Sequence, residues 1–185
     1  MGPHISERNY NHIVLKYILK REFILRFIVI FVMTYLIFFL SGCATRDITK
    51  QDSAFIVLKT PAMKYADMGF IAKGDDFVSL QIYSNAQPLV KIEITNNKIC
   101  MSKFKCLSKQ NFNSRFLDAS YPDDILEKIL LGEVIWDGIG FQKKPQGFVQ
   151  NIHNATQSQI FYSVLGNQID FSDTIRNITI KVTKK

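Results

Sequence analysis

Few residues in this 185-residue chain have the chemistry for covalent or metal work. They are three cysteines, Cys43, Cys100 and Cys106, and His153, the one histidine beyond residue 42. A structural zinc site takes four Cys or His ligands in closely spaced pairs, and this set is too sparse and too scattered to supply one. Asp123 and Asp124 are adjacent carboxylates, which raises a general acid–base reading. They follow Pro122 and precede an apolar stripe, so they read instead as charges complementing the positive end of a helix. Trp136, next along, reads as a packing anchor rather than a ligand platform. With no glycine-rich phosphate loop and no nucleophile elbow, the sequence points away from an enzyme. It implies no cofactor and no metal.

The setting of Cys43 is more informative. Lys16, Lys20, Arg21 and Arg26 precede an uncharged apolar run, Phe27 to Leu40, and small residues follow it. That is the order of a secretory signal, and the run is shorter than the roughly 20 apolar residues of a spanning helix. The tetrapeptide Leu40-Ser41-Gly42-Cys43 resembles the bacterial lipoprotein signal. The resemblance implies cleavage after Gly42 and diacylglycerol on the Cys43 thiol. A single acyl chain holds a protein only marginally at about 0.8 kcal/mol per buried methylene, so the two or three chains implied give a lasting anchor. Ala44 in the following position implies sorting to the outer membrane, on the periplasmic face rather than the cell surface. Met1 to Arg26 is long for the start of a signal peptide, and initiation near Val14 is expected.

The expected organisation is therefore a cleaved leader over 1–42, a lipidated cysteine and polar tether over 43–53, and one domain over 54–185. The leader carries five basic residues (Arg8, Lys16, Lys20, Arg21, Arg26) and two acids (Glu7, Glu22), so the formal charge falls from +7 to +4 without it. That is mildly basic, without the concentrated face and stacking aromatics of a nucleic-acid binder. The partner implied is a membrane, reached through the lipid. A domain of this length buries roughly 68% of the surface that its unfolded chain exposes.

The domain reads as mainly β. Phe55 to Leu58 is a short apolar run ended by Thr60-Pro61, and Met68 to Lys73 is a second strand before the turn Gly74-Asp75-Asp76. Alternation then becomes regular: Val78, Leu80 and Ile82 share one face, and after a turn at Asn85-Ala86-Gln87 so do Val90, Ile92 and Ile94. Asn96-Asn97 leads into Lys98 to Met101. Ser108 caps a short helix with Phe112 and Phe116 on one face. Pro122 opens a second helix, with Ile125, Leu126, Ile129 and Leu130 as its stripe and Gly132 as its stop. Strands resume over 147–153, 159–165 and 168–171, and a last strand over 175–183 carries Ile178, Ile180 and Val182.

Lipidation of Cys43 leaves Cys100 and Cys106 as an even pair, which in an oxidising compartment favours a disulfide. A straight strand would hold them about 20 Å apart, against the roughly 7 Å limit for a bridge, so the chain must reverse between them. The alternative is two buried free thiols. Lys98, Lys103, Lys105 and Lys109 form a basic edge suited to anionic head groups or to solvent.

The layout resembles the LolA and LolB lipoprotein carriers and their relatives. It combines a lipidated cysteine, a meander, a helix framed by Pro122, Leu126, Leu130 and Gly132, and a closing hairpin through Ile169, Asp170, Phe171, Arg176, Ile178, Ile180 and Val182. The resemblance implies an antiparallel meander curled into an unclosed half-barrel, with one or two short helices covering its concave face. It also implies an acyl-chain pocket, whose walls fall to Val78, Leu80, Ile82, Val90, Ile92 and Ile94 from the sheet and to Ile125, Ile129 and Leu130 from the helix. The function implied is binding of lipid or lipoprotein acyl chains. The alternative is a closed β-sandwich serving as a structural or adhesive envelope lipoprotein, without a pocket.

Overall fold

Alternation of apolar and polar side chains builds the molecule, described here from a computed structural model over residues 6–39, 47–102, 104–154 and 158–185. The chain divides into two units, Met1–Thr45 and Arg46–Lys185. The first is a helix, α1 (Ser6–Phe39), whose apolar side chains over 19–35, Phe23, Phe27 and Phe31 among them, are exposed. Among the described residues no helix is long and apolar enough to cross a membrane. Leu40, Ser41, Gly42 and Cys43, together with Lys103, lie outside the described residues.

The second unit is one antiparallel sheet of eleven strands, in the order β6-β5-β4-β3-β2-β1-β11-β10-β9-β8-β7. One meander comprises β1 (Ile48–Lys59), β2 (Lys64–Gly74), β3 (Phe77–Ser84), β4 (Gln87–Thr95), β5 (Lys98–Met101) and β6 (Phe104–Ser108). The other comprises β7 (Phe141–Lys144), β8 (Gly147–Asn154), β9 (Ser158–Leu165), β10 (Gln168–Asp173) and β11 (Ile178–Lys184). They join where β1 pairs with β11, Ile56 opposite Val182 and Leu58 opposite Ile180. The sheet does not close, and a second facing sheet, as a sandwich requires, is not the arrangement found. Its two edges, β6 and β7, are consecutive in sequence, so the segment linking them must travel from one edge to the other. That segment carries α2 (Lys109–Phe116), α3 (Ile125–Leu131) and a 3₁₀ turn at Trp136–Gly138. It forms the cover of the concave face.

Period two sets the sheet's faces. Ile56, Leu58, Leu80, Ile82, Ile92, Tyr162, Phe171 and Ile180 point inward and are buried in one core with Phe112, Phe116, Leu126 and Ile129 of the cover. Gly69 in β2 sits so close to the neighbouring strand that a Cβ there would collide with the Gln81 carbonyl oxygen. Asn85 and Ala86 both take left-handed backbone (φ 51° and 63°), as a two-residue hairpin turn requires.

Several boundaries depart from the pattern. Ile48–Ser53, expected within a tether, is the first half of β1, because β2 runs on to Gly74 and supplies ladder partners back to Ile48. Pro122 does not open α3. Its carbonyl accepts from Asn113 Nδ2 and Ile125 N, so the helix starts one turn later, with Asp124 paired to Lys128 at 2.8 Å. Ile175 is not in the last strand: Asp173 Oδ1 accepts from the backbone N–H groups of Ile175 and Arg176 and holds a turn there. Ser108 does cap α2, accepting from Asn111 N, and Gly132 ends α3 in the left-handed region (φ 72°). Cys100 and Cys106 form a disulfide between β5 and β6, with the chain reversing between them.

Candidate functional site

The concave face and its cover bring together all nine residues expected to line a pocket. Val78, Leu80, Ile82, Val90, Ile92 and Ile94 come from β3 and β4, and Ile125, Ile129 and Leu130 from α3; each is no more than 2% exposed. With the cover in place they are a filled core, the side chains of α2 and α3 occupying the space above the sheet. Leu130 also lines a cleft, of about 190 Å³, with Leu131 and Glu133 at the end of α3.

The cover is short-helical, and polar ties hold it to the sheet. Between α2 and α3, Tyr121 Oη donates to Asp173 Oδ2 at 2.7 Å, and Arg176 bridges Asp173 (3.0 Å) and Asp118 (2.6 Å). Arg176 also donates to Ser120 Oγ and lies over the Tyr121 ring, 5.5 Å from its centroid. The Asp173 side chain is fully buried, so this group is well screened from water and its charge-assisted bonds are the strong kind. Beyond α3 the buried Gln150 amide accepts from Ile135 N and donates to Ile135 O and Ile139 O. Tyr162 Oη donates to the Glu133 carbonyl at 3.0 Å. Trp136 packs edge-on against Tyr121 at 5.4 Å, the packing role expected of it.

Electrostatics at the ties follow from burial. Burial pushes the Tyr121 phenol well above its usual range, and the neighbouring Asp173 carboxylate adds to the effect. Burial likewise raises Tyr162. Burial disfavours the Asp118 carboxylate, but hydrogen bonds from Ser120 and Arg176 outweigh it and hold the group below its usual pKa. Within the cover Lys109 is paired to Glu127 at 2.9 Å with its side chain only 10% exposed, which removes it from any basic edge facing a membrane. Asn113 Oδ1 is buried without a partner among the described residues.

None of these ties was expected from the sequence, though Gln150 and Asp173 carried a signal. Each occupies an inward-facing position in an otherwise apolar alternation, Gln150 between Phe148 and Ile152, Asp173 after Ile169 and Phe171. A polar residue at such a position must find a buried partner, and both find it on the cover. Among the described residues no three His, Cys, Asp or Glu side chains are grouped to hold a metal ion. No protein-family model matches the chain, and no curated protein sequence matches it either.

Proposed function

We propose that the chain is a lipid-anchored bacterial lipoprotein, placed by Cys43 on the periplasmic face of the outer membrane. In this reading its β-rich domain takes up acyl chains of lipids or lipoproteins beneath the cover, in the manner of the LolB-like carriers it resembles. The observation that carries this is the cover itself, a segment tied at two places that lays the apolar side chains of α2 and α3 on an unclosed sheet. An acyl chain offers the same surface. A buried methylene contributes about 0.8 kcal/mol and a buried Leu or Ile about 1.5–3, so roughly two to four methylenes replace each side chain lifted away. An acyl chain thus replaces the apolar contact that the cover gives up, while the polar ties of Tyr121 and Gln150 add to the cost of lifting it.

The filled core favours a second reading, a structural or adhesive envelope lipoprotein with no ligand. Residues 44–185, expressed without the anchor, separate the two. Carriage expects lipid to co-purify, seen by mass spectrometry, and a fluorescent fatty acid to bind the delipidated domain. A domain that arrives empty and takes up no fatty acid is a structural lipoprotein.

A further inference from the structure

We propose that the cleft at the end of α3 binds the acidic head group of an amphiphile whose chain lies under the cover; this rests on the acyl-chain reading above. The cleft has a charged rim of Lys50, Asp52, Lys73, Glu133 and Lys184 and an apolar floor of Ile71, Leu130 and Leu131. Floor and core are continuous, since Leu130 and Ile71 both belong to the buried cluster. A volume of about 190 Å³ suits a head group rather than a whole lipid.

The rim is electrostatically unfinished. Lys50 and Lys73 are direct partners across β1 and β2, and like charges in opposed positions destabilise a sheet. Asp52 answers two of the three lysines, Lys184 at 2.9 Å and Lys50 at 3.4 Å. The hydrogen bond from Lys184 holds the Asp52 carboxyl below its usual pKa, so it stays charged. Lys73 has no ion pair among the described residues. Three cations against two acids leave an excess positive charge above an apolar floor. A carboxylate or phosphate with a hydrocarbon tail satisfies both halves. A departure from a local pairing rule, with no compensating contact in the protein, is where a ligand is expected.

The test uses the full chain in phosphatidylcholine vesicles, with a diazirine-bearing fatty acid and its methyl ester as photolabels and adducts mapped by mass spectrometry. The acid is expected to label peptides holding Ile71, Leu130 and Leu131 about fivefold more than the ester, the scale of one partly exposed charge pair. K73Q is expected to erase that preference without lowering the Tm, because it relieves the Lys50–Lys73 repulsion. Equal labelling by acid and ester overturns the head-group site and leaves the acyl-chain reading standing. Absence of labelling anywhere on the concave face overturns that reading, and the head-group site with it. Broadening of the phosphorus signal of inorganic phosphate by the wild type and not by K73Q, with equal photolabelling, makes this a free-anion site and overturns the amphiphile. A K73Q variant that unfolds at clearly lower temperature makes Lys73 structural and also overturns it.

Discussion

Tyr121 Oη and Asp173 Oδ2 meet at 2.7 Å across 52 residues of sequence, joining the cover to the far half of the sheet. Asp173 is also held by Arg176 and by two backbone N–H groups, so it is fixed whether or not Tyr121 is present. The tyrosine is the movable partner. Tyr121→Phe keeps the ring and its contacts with Trp136 and Phe171 and removes one charge-assisted hydrogen bond. Urea denaturation is expected to show a loss of about 1.5–3 kcal/mol, with amide exchange faster over 109–140 than over β1–β4.

Leu126 tests the apolar half of the same attachment. It is 1% exposed, in the α3 stripe, and Leu126→Ala removes three carbons from a filled site. A loss of about 2–5 kcal/mol is expected in denaturant unfolding. A much smaller loss would mean that α3 settles into the space, and that the cover is not closely packed on the sheet.

The Cys100–Cys106 bridge closes a loop with a sequence separation of 6 residues at the β6 edge. Loop closure on that scale stabilises by roughly 2 kcal/mol. Cys100→Ser with Cys106→Ser is expected to lower the Tm accordingly and to raise proteolysis between β5 and α2. The reduced wild type should behave the same way.

Acid should release the cover. The fold holds Asp118 below the 3.8 that is ordinary for an aspartate, so the unfolded chain binds its proton first as pH falls. The stability it contributes is present above pH 3.8 and drains away as pH drops through the lower, folded value. Asp52 acts in the same direction. Tyr121 works at the other end: its phenol is raised in the fold, so its contribution is complete below the ordinary tyrosine value of 10.0 and fades only as pH climbs beyond it. Thermal melts should therefore be flat through neutrality and fall at both extremes. Asp118→Asn is expected to flatten the acid limb.

Much of the sheet was legible because period two leaves a visible trace. Val78-Leu80-Ile82 and Val90-Ile92-Ile94 could be assigned to one face from their alternation alone, and they share it. The half-barrel needed more than alternation, since an open sheet and a sandwich have the same strand pattern; the sequence left both open, and the single eleven-stranded sheet decides between them. The edges were the hardest to read. Phe141–Lys144 is exposed at every position and so has no inward face to mark it. Of the residues between the cysteines, where the chain was expected to reverse, Phe104 and Lys105 already belong to β6, Phe104 pairing with Met101. The cover's helices were visible as stripes, but its ties were not: Asp173 and Arg176 are i,i+3 neighbours, yet Tyr121 and Asp118 reach them only through the topology.

The pairing of β1 with β11 has a consequence for how the domain is made. The strands that open and close the domain are neighbours at the middle of the sheet, Ala54 opposite Lys184. Every other pairing joins strands consecutive in sequence, but the central seam waits for residues more than a hundred positions later. Such distant contacts slow folding, and until β11 docks on β1 the two meanders are half-sheets with open inner edges. The domain becomes a single sheet only when its last strand is in place.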